Sequence, residues 1–216
     1  MKEEIVVHGV VLAENSQREF DKRLSLLTME QGKMTVWASG AKRPTSPLMA
    51  GSRSFVFGTF SLRKGKKGYN LQAVKVDAYF TEIASDLEKA CYAAYFLELA
   101  SVVSQENLPA EGTVNLIYLS LKALLHKNLN NRLVRAVFEL RLLFLEGEYT
   151  EEPPYSKRKA VQEAWQYVLS MPLGKLYTFT LEGAALEDFC ENVSALCQES
   201  FSVHFQSMKI LESLRE

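Results

Sequence analysis

SFVFGTFSLRKGKKGYNLQAVKVDAYF, residues 54–80, decides how the first part of the chain is read. Its opening half alternates. Phe55, Phe57 and Thr59 point to one side of an extended backbone, and Val56, Gly58 and Phe60 to the other. GKKG then forms a Gly-bracketed turn, and YNLQAVKVDAYF continues as a second strand. Towards the N-terminus, EIVVHGVVLAE is β-branched and apolar. RLSLLTM and MTVWASGA are two short runs joined by EQGK, a hairpin connection containing Gly32.

Five strands in about 80 residues, with turns between them and no helical period, predict a small antiparallel barrel of the OB or SH3-like kind. Closure would also remove exposed sheet edges. From Glu82 onward the period changes. SDLEKACYAAYFLELASVVS places Leu87, Ala90, Ala94, Leu97 and Val102 at helical spacing, with Ser85 or Asp86 as N-cap. TVNLIYLSLKALLHKN, NRLVRAVFELRLLFLEG, KRKAVQEAWQYVLSM and GAALEDFCENVSALCQESFS read as further helices, followed by a short MKILESL tail. The third helix is apolar on most sides and so belongs at the centre of a bundle. LYTFTLE is β-like or an extended linker, and YTEEPPYS is a break. The expected class is α+β multidomain: an N-terminal antiparallel β-barrel (OB fold) over 1–80, then an all-α helical domain over 81–216.

The 216-residue chain carries a net charge of −1, unevenly distributed. Residues 1–80 hold 13 Lys+Arg and 7 Asp+Glu, a balance of +6; residues 81–216 hold 12 and 19, a balance of −7. From Gln31 to Val76 there are nine cations and no acid. Such asymmetry points to a polyanionic partner for the first half. Two basic clusters stand out. Lys42, Arg43 and Arg53 bracket the loop RPTSPLMAGS, which Pro44 and Pro47 stiffen and where Gly51 permits a positive φ. Arg63, Lys64, Lys66 and Lys67 surround the later turn. Trp37 and Tyr69 lie near strand ends, where rings can stack on bases while cations track phosphates.

Catalytic and metal chemistry is not legible. His8, His126 and His204 are far apart, and no phosphate loop or dinucleotide fingerprint occurs. Basic residues without clustered Asp, Glu and His argue against a metal-dependent nuclease. Cys91, Cys190 and Cys197 form no disulfide framework and fit a reducing compartment; Cys190 and Cys197, seven apart, read as small buried residues rather than a metal pair. No apolar run reaches the roughly 18 residues of a membrane span, and MKEEIVVHG lacks a secretory h-region. The expected location is the cytoplasm.

Two local patterns carry a resemblance. LLTMEQGK (26–33), which fits LLTxExGK, and GAKRPTSPL (40–48) resemble the N-terminal OB domain of the RecO family of bacterial DNA repair proteins. YAAYFLELAS (92–101), FELRLLFLEG (138–147), PLGKLYTFTL (172–181) and FQSMKIL (205–211) look like its helical part. The resemblance implies a non-enzymatic mediator, nucleoid-associated during repair. Such a protein binds single- and double-stranded DNA, anneals complementary strands and, with RecR and single-stranded DNA-binding protein (SSB), places RecA on coated strands. It also assigns Lys42 and Arg43 to a DNA-contacting loop. Many members carry a four-cysteine zinc site after the FELRLL helix. Here that place reads FLEGEYTEEPPYSKRKA, without cysteine, so neither zinc nor another cofactor is expected. A receptor for the acidic SSB tail needs cations beside an apolar pocket. Arg132 and Arg135 share a helix face and are the candidates, although Arg135 also stands at i,i+4 to Glu139 in a pair of surface type. The second reading of the chain is an adaptor whose barrel docks an acidic protein.

Overall fold

The computed structural model describes residues 3–66, 68–201 and 205–213. Lys67 and His204 therefore lie outside the described residues. The polypeptide forms two compact units, one of residues 1–81 with 100–114, the other of 82–99 with 115–216.

The first unit is a closed barrel of five strands: β1 (Glu4–Gln17), β2 (Asp21–Thr28), β3 (Gly32–Ala38), β4 (Phe57–Gly65) and β5 (Gly68–Ala78), in the order β1-β2-β3-β5-β4. β1 is long enough to serve two neighbours: Glu4–Val10 pair with β4, and Gly9–Gln17 with β2. Four seams are antiparallel, as expected; the fifth, β3 against β5, is parallel, with Val36 opposite Tyr69 and Trp37 opposite Asn70. A parallel seam needs a crossover. The chain supplies it through residues 39–56, which leave β3 and deliver β4 to the far side of β1.

Alternation fills the interior. Val7, Val11, Leu24, Leu26, Met34, Val36, Phe60, Leu62 and Leu71 form one apolar core. Ala41, Leu48 and Val56 of the 39–56 crossover join it, so this loop is built into the barrel. Gly51 does not take the positive φ expected of it. A Cβ there would lie 2.7 Å from the Val74 Cβ, so the position is closed to side chains by packing. The β4 alternation also begins later than expected, because Phe55 has φ 67° and the strand starts at Phe57. Phe57 is buried outside the barrel core, its ring edge-on to Phe80 at 5.5 Å.

The β2–β3 turn is fastened by the 100–114 segment. Lys33 N–H donates to the Gln105 carbonyl (2.9 Å), Asn107 N–H to Gln31 (2.9 Å) and Ala110 N–H to Met29 (3.1 Å). Lys33 Nζ reaches the Ser101 carbonyl at 2.6 Å. Gly32 has φ 63°, and a Cβ there would stand 2.2 Å from the Leu108 carbonyl oxygen.

The helices are α1 (Leu87–Val103), α2 (Glu111–Leu124), α3 (Asn131–Glu146), α4 (Lys159–Ser170), α5 (Gly183–Ser200) and α6 (Gln206–Ser213). Asp86 rather than Ser85 caps α1, its Oδ1 accepting from Lys89 N–H at 3.2 Å. The Asn130 side chain caps α3 through Arg132 N–H at 2.9 Å. As its composition predicts, α3 is buried on nearly every side and packs against α4 and α5. LYTFTLE is not a strand; it follows a short 3-10 turn as irregular chain. The cysteine-free segment after α3 is held by hydrogen bonds. Trp165 Nε1 donates to the Thr150 carbonyl (2.8 Å), and Tyr155 N–H to Asn192 Oδ1 (2.8 Å).

Candidate nucleic-acid interface

One groove of about 440 Å³ opens where three barrel elements converge. Its lining is Gln17 and Arg18 at the end of β1, Asp21 at the start of β2, Trp37 and Ser39 at the end of β3, Lys66 in the β4–β5 turn, and Gly68 and Asn70 at the start of β5. Register explains the meeting. Trp37 lies between Arg23 on β2 and Asn70 on β5, so the indole stands on a ladder supported from both sides. Val36 points into the core, which turns Trp37 outward. Arg18 occupies a left-handed turn position, φ 45°.

Lys42 and Arg43 adjoin this groove because their loop is tied to the same turn. Gly40 N–H donates to Asp21 Oδ1 at 2.8 Å, and Lys42 N–H to the Phe20 carbonyl at 3.0 Å. Arg43 lies over the Phe20 ring, 5.3 Å from its centroid, a cation–π contact that orients an exposed guanidinium. Arg53 is also exposed, but sits further along the loop, beside Ser52, whose carbonyl accepts from Lys22 Nζ at 3.2 Å. Lys22 is paired in turn with Glu14.

The second basic cluster divides. Lys66 is exposed and lines the groove. Arg63 and Lys64 are committed to carboxylates: Arg63 Nη2 stands 2.7 Å from Glu4 Oε1, and Lys64 Nζ 2.9 Å from Glu3 Oε2. Glu3 raises the pKa of Lys64 above the ordinary lysine value through that hydrogen bond. These pairs were invisible in an acid-free window because their acids are Glu4, the first residue of β1, and Glu3 just before it, and the register sets β1 opposite β4. Among the described residues, Lys42, Arg43, Arg53, Lys66 and Lys75 pair with no carboxylate.

Tyr69 departs from the expectation of an exposed stacking ring. It shares its strand face with Leu71 and packs against the barrel core. Arg18, Gln17 and Asn70 went unnoticed in the sequence. Arg18 lies between Glu14 and Asp21, outside the acid-free window, and only the β1–β2 turn carries it to the groove. His8, also on the barrel, is tied through Nδ1 to Glu30 Oε1 at 2.6 Å. Burial pushes the Glu30 carboxyl up, but hydrogen bonds from the His8 ring and backbone outweigh it and hold it below the usual range.

In the helical unit, Arg135 does pair with Glu139, Nε to Oε1 at 3.5 Å, but the pair is buried rather than superficial, with side chains only 14% and 3% exposed. Tyr95 Oη donates to the same Glu139 oxygen at 2.6 Å. That apolar setting makes Arg135 unavailable as a surface cation, while Arg132 stays half-exposed at the start of α3. The three cysteines are free and buried. Burial pushes the Cys190 thiol up to about 11 and the Cys197 thiol to about 12. Among the described residues, no group of three or more His, Cys, Asp or Glu could hold a metal ion, and no helix is long and apolar enough to cross a membrane.

Comparison with known proteins agrees with this architecture. Residues 1–80 match the family described as recombination protein O, N terminal, and residues 84–151 its C-terminal counterpart. The chain is 34% identical over 139 residues to the DNA repair protein RecO of Acetivibrio thermocellus, covering 64% of this chain and 55% of that protein. To the same-named protein of Bacillus subtilis it is 34% identical over 143 residues, covering 66% and 56%. To that of Alkaliphilus metalliredigens it is 30% identical over 143 residues, covering 66% and 58%. The chain thus spans a little over half the length of these curated relatives.

Proposed function

The chain belongs to the RecO family, and from that premise we propose that it serves recombinational DNA repair and that its barrel binds DNA directly, without catalysis. The observation that carries this reading is the convergence of Trp37, Arg18 and Lys66 on one groove, with Lys42 and Arg43 on the loop tied to its edge. Exposed cations supply phosphate contacts that do not depend on sequence, and an outward ring supplies a stacking platform. A surface of this kind can hold two complementary strands and favour their annealing. We further propose that the chain acts in the cytoplasm with RecR and the SSB tail to assist RecA loading, with Arg132 as the tail-binding cation that remains accessible.

The decisive experiment is strand annealing and single-strand affinity as a function of salt. Lys42→Glu with Arg43→Glu should abolish annealing, and the parent chain should show a log–log salt slope of several units. A flat salt response in the parent chain would favour the adaptor reading, in which the barrel meets an acidic protein.

A further inference from the structure

We propose that the segment joining α3 to α4 docks a second copy of this chain, which it meets at that copy's Lys42–Arg43 loop. The segment is exposed, apolar and acidic at once. Leu145, Tyr149 and Tyr155 are 36%, 39% and 68% exposed, and exposed apolar side chains gathered in one short stretch mark an interaction surface. Glu146, Glu148, Glu151 and Glu152 are exposed among them, and none of the four pairs with a Lys or Arg among the described residues. Of the cations that follow, Arg158 is committed to Asp188 and Lys159 to Glu163. The segment has no helix or strand, yet it is fastened. Gln166 Nε2 donates to the Glu151 carbonyl, Thr150 Oγ1 to the Glu152 carbonyl at 2.7 Å, and Tyr155 Oη to Glu199 Oε1 at 2.9 Å. The Tyr149 ring rests on Phe144, centroids 4.8 Å apart, and Pro153 is buried. These contacts add to the hydrogen bonds with Trp165 and Asn192. A surface already held in one shape loses little entropy on docking.

Charge identifies the occupant. Residues 81–216 carry a balance of −7 and residues 1–80 one of +6, so the chain itself supplies the complement to this surface. Lys42 and Arg43 are exposed, and Arg43 lies over the Phe20 ring, which is 38% exposed. That face offers two adjacent cations beside an aromatic ring. The segment offers two adjacent carboxylates, Glu151 and Glu152, and the Tyr155 ring three positions on. Opposed charges set the register of such a contact, and the rings bury apolar area within it. A net charge of −1 does not hold two copies apart. Each copy carries one surface of each kind, so the contact is head to tail. Exposed ion pairs are weak and screened by salt, so the association belongs to low ionic strength. This inference goes beyond the DNA-binding reading and does not rest on it. The two share Lys42 and Arg43, so a bound strand and a neighbouring copy exclude each other.

The test is sedimentation of the full chain, without DNA, in a concentration series up to about 100 μM. At about 0.05 M salt the mean mass should rise with concentration above that of the monomer, and at about 0.5 M it should fall back. Glu151→Lys with Glu152→Lys removes the acidic surface, and Lys42→Glu with Arg43→Glu removes the basic one. Each double variant alone should stay monomeric at low salt. Mixed in equal amounts they should associate, because each retains the surface that the other has lost. Tyr155→Ala should weaken association of the parent chain several-fold. Should either charge reversal not fold, Glu151→Gln with Glu152→Gln keeps the side-chain size and should still lower the mass. A parent chain that stays monomeric throughout overturns the proposal, as does self-association that survives either pair of changes or a mixture that does not associate. An oligothymidylate that binds and leaves the assembly intact overturns it as well. All of these masses except the last are measured without nucleic acid, so their failure leaves the DNA-binding reading standing.

Discussion

Trp37 on β3 and Asn70 on β5 face each other across the parallel seam that closes the barrel. That pairing joins the end of the β2–β3 ladder to the β4–β5 turn, and so brings Lys66 to the same groove as Arg18. The groove is a product of closure, because its lining comes from chain segments separated by up to 53 positions, Gln17 to Asn70.

Cations within the basic window should contribute unequally to DNA binding. Lys42→Ala with Arg43→Ala should lower the single-strand salt slope by about 1.4, at roughly 0.7 per phosphate contact. Arg63→Ala with Lys64→Ala should change it by less than half as much, since a phosphate must compete with Glu4 and Glu3 for those side chains. Salt titrations of the two double variants compare them directly.

Gly32→Ala should destabilise the chain by at least about 2 kcal/mol. The position combines a left-handed backbone with a Cβ site 2.2 Å from a carbonyl oxygen. Urea unfolding of the variant checks this. A loss under 0.5 kcal/mol would mean that the 105–108 segment does not seat on the turn.

Tyr95→Phe should cost about 1–3 kcal/mol although it removes a single oxygen. Tyr95 donates to Glu139 Oε1, and Glu139 Oε2 is already buried without a hydrogen-bond partner. Losing the phenol leaves the carboxylate less satisfied in an apolar setting. Glu139→Gln should be costlier, about 3 kcal/mol or more, because it strands the buried Arg135 charge. Denaturant midpoints of the two variants give the order.

Stability should fall with rising pH above about pH 9. Folding raises the Cys190 and Cys197 thiols to about 11 and 12, above the value of about 8.5 for a free thiol. The unfolded chain therefore gives up protons that the folded chain keeps. The contribution is full below pH 8.5 and lost progressively as pH climbs towards the folded values, by up to about 1.4 kcal/mol per pH unit for each thiol. Cys190→Ala with Cys197→Ala should flatten that slope in unfolding curves at pH 8, 9 and 10. For the same reason the native thiols should react with iodoacetamide at pH 8 far more slowly than those of the unfolded chain.

Much of this molecule is legible in local sequence. A period of two in residues 54–80 marks strands, a change of period at Glu82 marks helices, and α3 announces its burial by being apolar on most sides. The positive bias of the barrel is likewise a property of composition. What composition cannot convey is which cations stay unpaired. Arg63 and Lys64 look as exposed and solitary as Lys66, yet register sets Glu4 and Glu3 against them from 59 and 61 positions away. Arg18 looks unremarkable among acids, yet a turn places it beside Trp37. Arg135 and Glu139 look like a surface pair, yet α3 lies inside its bundle. Backbone periodicity is local and can be read from a few neighbours. Pairing register, barrel closure and burial depend on segments distant in sequence, so only the tertiary structure decides which charges meet and which are left for a ligand.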